Sequence, residues 1–599
     1  MRPAKFLYQL IVHYLRAKLT RVQYIMLVAT LVGLFSGLTA VFLKTLVHYL
    51  QHWIQDADVS RFSYLLFPVI GLLLTVLIVK LFFQSHIEKG IAMVLRSIAR
   101  KSSFIPLRHT YQHVITSALT VGLGGSAGLE APIVATGSAV GSNTARISEL
   151  NYRERTLLIG CGAAAGIAAV FNAPIAGVIF AIEVLLTETI VSYFIPLIIS
   201  SVVGALCSKI ILGESFLFNF ILKEKFDYHN VPWYIALGIL AGFISLYYAR
   251  AFKMAEGRLH HWKQNAYLKA AVGGMFLMAI YFLVPPLFGE GYESVKLVAS
   301  GTPARINDNT ALFSLLDEQW SLVLFAGLIV LLKPLAAGIT IGSGGNGGNF
   351  APSLFTGAYL GFFFSKLMNN TGWLKIPEGN FSLTGMAGVL SGVMYCPLSA
   401  IFLIAEITNG YELFIPLMIV SSISFFIVKS YNPFSMETRQ LALEGQIFTH
   451  KKERNILTSI QLTEILQDKY ASINVEGRLR ELVETVKTSE KNIYAVHDNK
   501  DRFVGIIELN DIKQLIFDPV QLETVTVRSL VKKPAALLSD TQDMHDVMKQ
   551  FDLTQSWYLP VLNSDKKFIG FISKTKLFAK YREILSSQVD LYEETGAGH

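Results

Sequence analysis

A single carboxylate, Glu130, stands in the run GGSAGLEAPIVATGSAVG (124–141), with dozens of largely apolar residues on either side. An acid in such surroundings can hold or release a proton, and its near neighbours offer it mainly backbone amides. The run passes from glycines into Ala131-Pro132, and proline is favoured in the first turn of a helix. A helix that starts there presents unsatisfied N–H groups and the positive end of its dipole. Glycines beside it let an ion come close to the backbone. Such an end binds anions without any formal cation. Capture of a small anion beside a titratable acid is therefore the chemistry to expect.

The frame occurs twice. GGNGGNFAPSLFTGAYLG (344–361) matches 124–141 at its Gly-Gly, Gly, Ala-Pro and Thr-Gly positions, with Phe350 opposite Glu130. A second pair follows nearly in register: APIAGVIFAIE (173–183) against CPLSAIFLIAE (396–406), with Pro174 opposite Pro397 and Glu183 opposite Glu406. Two matched blocks indicate two related halves, roughly 60–210 and 270–430. In transporters such repeats are often inverted, and broken-helix N-termini converge on a binding site near the bilayer midplane.

The elements that must carry these frames are membrane spans. The chain is 52% hydrophobic and 16% charged, against about 25% charged for soluble proteins. Apolar stretches long enough to cross a bilayer recur at 22–50, 62–83, 156–186, 190–212, 232–255, 267–288, 320–342, 383–408 and 412–429. Several are interrupted by Gly and Pro, as in re-entrant helices. The N-terminal segment is basic and amphipathic, with no small-residue cleavage site after it. Arg2, Lys5, Arg16, Lys18 and Arg21 precede the first span, which predicts a cytoplasmic N-terminus. The net charge of +8 fits basic flanks of membrane spans and gives no nucleic-acid signal. Cys161, Cys207 and Cys396 lie in or beside apolar spans without metal-ligand spacing and read as small buried hydrophobes. His86, His109 and His113 fall near the polar ends of the first half and read as interfacial residues.

Two enzyme motifs are decoys. GGSAG (124–128) satisfies the hydrolase elbow G-x-S-x-G, but it opens a membrane helix, and Asn346 stands at the position of Ser126 in the other copy. GSGGNG (342–347) satisfies G-x-G-x-x-G without the preceding strand or later acid of a dinucleotide fold. No enzyme, metal or cofactor is expected.

The GLEAP run (128–132), GNFAP (348–352), the block GAAAGIAAVFNAPIAGVIFAIE (162–183) and the charged tail together resemble the CLC family of chloride channels and chloride/proton exchangers. The resemblance implies an all-α polytopic membrane protein of about 18 tilted or partial helices in two inverted repeats, followed by a soluble α/β domain. It implies a homodimer with a pore in each subunit, Glu130 as the gating acid, and an anion site lined by backbone at Gly128, Leu129, Glu130, Asn349, Phe350 and Ala351. Ionised, the acid occupies the amide-lined site; protonated, it yields to chloride.

This sequence departs from the family pattern at informative places. Leu129 precedes the gating acid where a basic residue is frequent, so the local field is less positive. Val184 is apolar where coupled exchangers often carry an internal proton-site glutamate. In EKGIA (88–92) Lys89 falls where a central-site serine is expected, and in PFSMETRQLA Glu437 falls where a tyrosine is expected. The complementary charges predict a Lys89–Glu437 ion pair at the inner mouth of the pore, acting as an inner gate or a substitute proton acceptor. A one-residue shift would instead put Lys89 in a solvated vestibule and Glu437 on an exposed linker. Asn349 replaces a commonly aliphatic residue beside the anion and bears on selectivity among chloride, nitrate and fluoride.

The membrane domain is read as 1–436 and the tail as 437–599. In the tail, IYAVHDNKDRFVGIIELNDI (493–512) parallels YLPVLNSDKKFIGFISKTKL (558–577), within units of roughly 455–518 and 525–585. The pattern resembles a tandem CBS pair, which often binds an adenine nucleotide through a Ser/Thr and an Asp three residues later. Here the first unit has Glu508 with Asp511 and the second Ser573 with Lys576, so a structural or dimer-stabilising module is favoured over a nucleotide sensor. The expected function is multi-pass, cell-membrane transport of chloride or a similar small anion, with membrane lipid around the subunits and the tail in the cytoplasm. Whether protons are exchanged stays open. The alternatives are a passive chloride channel and a transport-silent sensor that signals through the tail.

Overall fold

The computed structural model describes residues 14, 16–56, 63–83, 90–100, 103–186, 194–213, 224–262, 265–300, 318–372, 375–408 and 410–439, and in the tail 460, 462–466, 470–489, 491–542, 544–563, 565 and 567–586. The chain divides into two compact units, Met1–Ile447 and Phe448–His599.

Sixteen α-helices lie among the described residues of the first unit, in two series of eight. The first comprises α1 (Arg21–Asp56), α2 (Phe67–Phe82), α3 (Gly90–Arg100), α4 (His109–Gly122), α5 (Glu130–Ile147), α6 (Tyr152–Phe171), α7 (Pro174–Phe180) and α8 (Phe194–Leu212). The second comprises α9 (Val231–His261), α10 (Ala266–Leu283), α11 (Tyr292–Ala299), α12 (Glu318–Gly342), α13 (Phe350–Asn370), α14 (Glu378–Met394), α15 (Pro397–Ile407) and α16 (Phe414–Tyr431). Packing follows the same plan in both: α5 on α6 and α13 on α14, α1 on α8 and α9 on α16. Eight helices among the described residues are long and apolar enough to cross a membrane, whereas α7 and α15 are too short. The protein is a multi-pass membrane protein.

The two series are locked by bonds that come in exchanged pairs, as a local two-fold axis requires. Gly128 N–H donates to Gly348 O at 3.0 Å, and Gly348 N–H returns a bond to Gly128 O at 2.8 Å. Ser126 N–H donates to Thr340 Oγ1 at 3.1 Å, and Asn346 N–H to Thr120 Oγ1 at 3.0 Å. The start of α7 is closed by Glu406, which accepts from Ile175 and Ala176 N–H at 3.0 and 2.8 Å. The start of α15 is closed by Glu183, which accepts from Leu398 and Ser399 N–H at 3.1 and 2.9 Å. Each half thus supplies the carboxylate that caps a proline-led helix of the other.

Helix starts elsewhere show what the pore helices lack. Asn151 and Glu154 form a full capping box on α6, and Glu154 also accepts from Arg21 Nε at 2.7 Å. The residues that precede α5 and α13, Leu129 and Asn349, make no side-chain cap. Those two ends keep their amides for other partners.

Within each half, backbones meet at glycine. A side-chain carbon at Gly137 would collide with the carbonyl of Gly162, and one at Gly162 with that of Gly137; Gly357 and Gly385 repeat the contact in the second half. Small residues permit this approach where lipid supplies no hydrophobic drive for helix association.

In the second unit, β1 (Ser472–Asn474), β2 (Ile493–His497) and β3 (Phe503–Glu508) form one sheet, and β4 (Leu538–Ser539), β5 (Tyr558–Leu562) and β6 (Phe568–Ser573) the other. Both have a parallel then an antiparallel pairing, with a register shift at Val496/His497 and again at Val561/Leu562. Val496 faces Gly505 and Val561 faces Gly570. Phe503 and Phe568 stack at 5.7 Å, and Ile493, Ala495, Ile506 and Phe571 form an apolar core with them.

Gly137→Val puts a branched side chain into the Gly162 backbone. Overpacking of this kind costs about 1–3 kcal/mol, and the variant is expected to lose thermal stability in detergent, read by fluorescence-detected size exclusion. A midpoint equal to wild type would contradict the close helix contact.

Candidate functional site

Glu130 is the first residue of α5 and is 1% exposed. Its Oε2 accepts from Ala351 N–H of α13 at 3.3 Å, and its Oε1 accepts a hydrogen bond from the Tyr292 hydroxyl. The carboxylate of one repeat therefore lies on an amide at the helix start of the other. Phe350, opposite Glu130 in the sequence repeat, packs on Phe171 at 5.6 Å and Phe180 at 5.9 Å and supplies an apolar wall.

The structure brings Gly128, Leu129, Glu130, Asn349, Phe350 and Ala351 together as expected neighbours, but their amides have different employments. Gly128 N–H is used by Gly348 O. Leu129 N–H donates to Glu290 Oε1 at 3.2 Å. Ala351 N–H holds Glu130. Asn349 and Phe350 head the same helix as Ala351.

Four residues that the sequence reading did not single out surround Glu130. Glu290 and Tyr292 come from the FGEGY segment (288–292), in which Gly289 and Gly291 adopt φ of 63° and 81°. Glycine takes that left-handed backbone without steric cost, and the turn carries Glu290 to Leu129 and Tyr292 to Glu130. Lys333, fully buried on α12, donates to Gly289 O at 3.2 Å and Glu290 O at 3.4 Å, with its Nζ 4.4 Å from the centroid of Phe355. Lys44 of α1 donates to Val170 O at 2.8 Å, and like Lys333 it is close enough to both acids to interact electrostatically. Basic residues absent next to Glu130 in the sequence, where Leu129 stands, are thus present near it from other helices. A signal was available: ionisable residues inside membrane spans are functional by default.

A separate polar group lies around Asn349. Tyr248 donates its hydroxyl hydrogen to Asn349 Oδ1 at 3.3 Å, and Asn349 Nδ2 reaches Glu437 Oε1 at 3.5 Å. A side-chain carbon on Gly90 would lie 3.4 Å from Glu437 Oε2. Glu437 is partly buried at the start of α3 rather than on an exposed linker. Lys89, its expected partner, lies outside the described residues.

Val184 sits in a π-helical turn, Ala181–Leu185, and Glu183 beside it is engaged in capping α15. His109 and His113 are not interfacial as expected: both are buried, stacked at 5.4 Å, and His113 Nδ1 lies 3.3 Å from Asn346 Nδ2 of the other half. His86 lies outside the described residues. In the tail, Asp511 Oδ1 accepts from Lys532 Nζ at 2.5 Å. That bond pushes the Lys532 ammonium above the ordinary lysine range. Ser573 Oγ accepts from Lys576 N–H at 3.3 Å and serves the helix Lys574–Ser586 as a cap.

Two inverted helical repeats that meet at helix N-termini around a carboxylate define a polytopic membrane protein with an anion site built from amides. Comparison with known proteins gives the same class. Residues 71–429 match the voltage gated chloride channel family. A putative chloride channel protein ClcB-like from Ralstonia nicotianae is 26% identical over 433 residues, covering 69% of this chain and 96% of that protein. Among solved structures, a slow cyanobacterial Cl-/H+ antiporter superposes with a TM-score of 0.60 at 21% identity, covering 72% of this chain and all of that one. A eukaryotic CLC transporter gives 0.58 at 17% identity and covers 92% of this chain and 97% of its own. The chain belongs to the voltage gated chloride channel family.

Tyr292→Phe removes the hydroxyl that holds Glu130. Hydrogen bonds to charged groups contribute about 1.5–3 kcal/mol, so chloride efflux from proteoliposomes at neutral pH is expected to rise by roughly tenfold or more. Unchanged efflux would separate Tyr292 from the gate.

Proposed function

We propose that the protein carries chloride, or a similarly small anion, through a pore in each subunit of a homodimer, with Glu130 as the protonatable gate. The observation that carries this reading is the Glu130 carboxylate on the Ala351 amide. An ionised carboxylate there is a tethered anion in the place a free one would take. Protonation removes its charge, weakens its hold on the amide and lets a diffusible anion compete. The reading is one of transport rather than of catalysis on a substrate.

Protons are the natural second partner of such a gate. Val184 supplies no acid at the internal position, and Glu437 is the candidate that lies near the anion-site helix, through Asn349. The homodimer is supported by an apolar face shared by α7, α8, α15 and α16, on which Ile175, Ile198, Leu398 and Ile415 are exposed next to the cross-capped helix ends; lipid covers the remaining apolar surface. The basic residues before α1 favour a cytoplasmic N-terminus, and the tail is placed on the same side.

Glu130→Gln should give chloride efflux from proteoliposomes that is faster than wild type at neutral pH and depends less on pH, with pH recorded simultaneously to report proton movement. Efflux as slow as wild type at neutral pH would contradict the gate. For the tail we favour a CBS-like structural module over a nucleotide sensor, because Lys532 occupies Asp511 and Ser573 caps its own helix. Millimolar ATP is expected to leave the thermal midpoint of the full-length protein unchanged. A rise that Asp511→Ala abolishes would establish a nucleotide site instead.

A further inference from the structure

The Leu129 amide precedes Glu130 in the chain, yet a carboxylate from a different element holds it. Glu290 Oε1 accepts from Leu129 N–H at 3.2 Å, while Glu130 Oε2 accepts from Ala351 N–H at 3.3 Å. Two amides, one at each pore helix start, are thus closed by two carboxylates. We propose that Glu290 is a second gating acid, which must release the Leu129 amide, as Glu130 releases the Ala351 amide, before an anion passes. The inference rests on the reading of Glu130 as the gate and extends it.

Three observations support a built device. The first is backbone fixation. Glu290 is held between two left-handed glycines, and Gly289 N–H donates to Gly124 O at 3.2 Å, which ties the turn to the loop that leads into Glu130. The second is a shared segment: Tyr292, two residues on, donates to Glu130, so displacement of the 288–292 turn disturbs both acids together. The third is charge. The groups that face Glu290 are Glu130 on α5, Tyr292 on α11, Lys44 on α1 and Lys333 on α12. Glu293 and Lys296 of α11 and His48 of α1 lie around Lys44.

With both acids ionised and both lysines as ammonium groups, Glu130, Glu290, Lys44 and Lys333 sum to zero. An arriving chloride adds one negative charge, and a proton from solution on either carboxylate restores the balance. Two acids on two amides give the gate two proton sites, and because each carboxylate lies in the other's field their protons are taken up in two separate steps. Acid activation should therefore spread over a wider pH range than a single carboxyl group allows.

The experiment is chloride efflux from proteoliposomes across a pH series for wild type, Glu290→Gln, Glu130→Gln and the double variant. Glu290→Gln keeps an oxygen for the Leu129 amide but removes the charge. It should raise efflux at neutral pH by about tenfold and narrow acid activation to the single step of one carboxyl group; the double variant should be fast and flat. A Glu290→Gln profile that superimposes on wild type, while Glu130→Gln conducts freely, overturns the proposal and leaves the gate intact. Failure of Glu130→Gln to conduct removes the gate reading itself. If Glu290→Gln is not recovered folded, Glu290→Asp decides. Its shorter carboxylate falls short of Leu129, so efflux should again rise at neutral pH, and a wild-type profile would overturn the proposal.

Discussion

In the middle of a bilayer no water is at hand to satisfy the first amides of a helix, so something else must. The exposed start of α6, at the end of a spanning helix, is closed by its own capping box. At α7 and α15 the cap is a glutamate from the opposite repeat. At α5 and α13 the partners are Glu290 and Glu130, and these are the ends that meet at the pore. In the proposed gate the carboxylates at α5 and α13 are displaceable, whereas those at α7 and α15 stay in place. That difference separates scaffold from site in this protein.

The scaffold follows from the doubling of the chain. A two-fold relation between halves makes cross-contacts recur, so Gly128 with Gly348, Thr120 with Asn346 and Glu183 with Ser399 each have a counterpart in the other half. Symmetry also breaks at the candidate site. Glu130 has Phe350 as its counterpart, and Phe350 packs against Phe171 and Phe180 rather than reaching for an amide. One repeat brings the charge, and the other brings the amide that receives it.

Much of this was legible in the sequence, because glycine runs, Ala-Pro starts and repeated blocks are local features. Glu130 could be found from its isolation, and the pairing of 124–141 with 344–361 from their spacing. Glu183 and Glu406 could be matched, but their capping of each other's halves is tertiary and leaves no local mark. Lys44, Glu290, Lys333 and Tyr292 were harder still, because their bonds join elements far apart in the chain. Leu129 suggested a less positive local field, and the nearby Lys44 and Lys333 come from helices that the residue next to the acid could not reveal. The sequence reading expected Glu437 to pair with Lys89 at the inner mouth of the pore; the structure sets Glu437 beside Asn349 and Gly90, and Lys89 lies outside the described residues.

The central claim is that the Glu130 carboxylate stands where a free anion binds. Anomalous scattering from crystals soaked in bromide locates the anion directly. In Glu130→Gln the account predicts a bromide peak at the start of α13, within hydrogen-bonding reach of the Ala351 amide, that is absent or much weaker in wild type. A peak of equal height at that amide in both proteins, or none there in the variant, would contradict it.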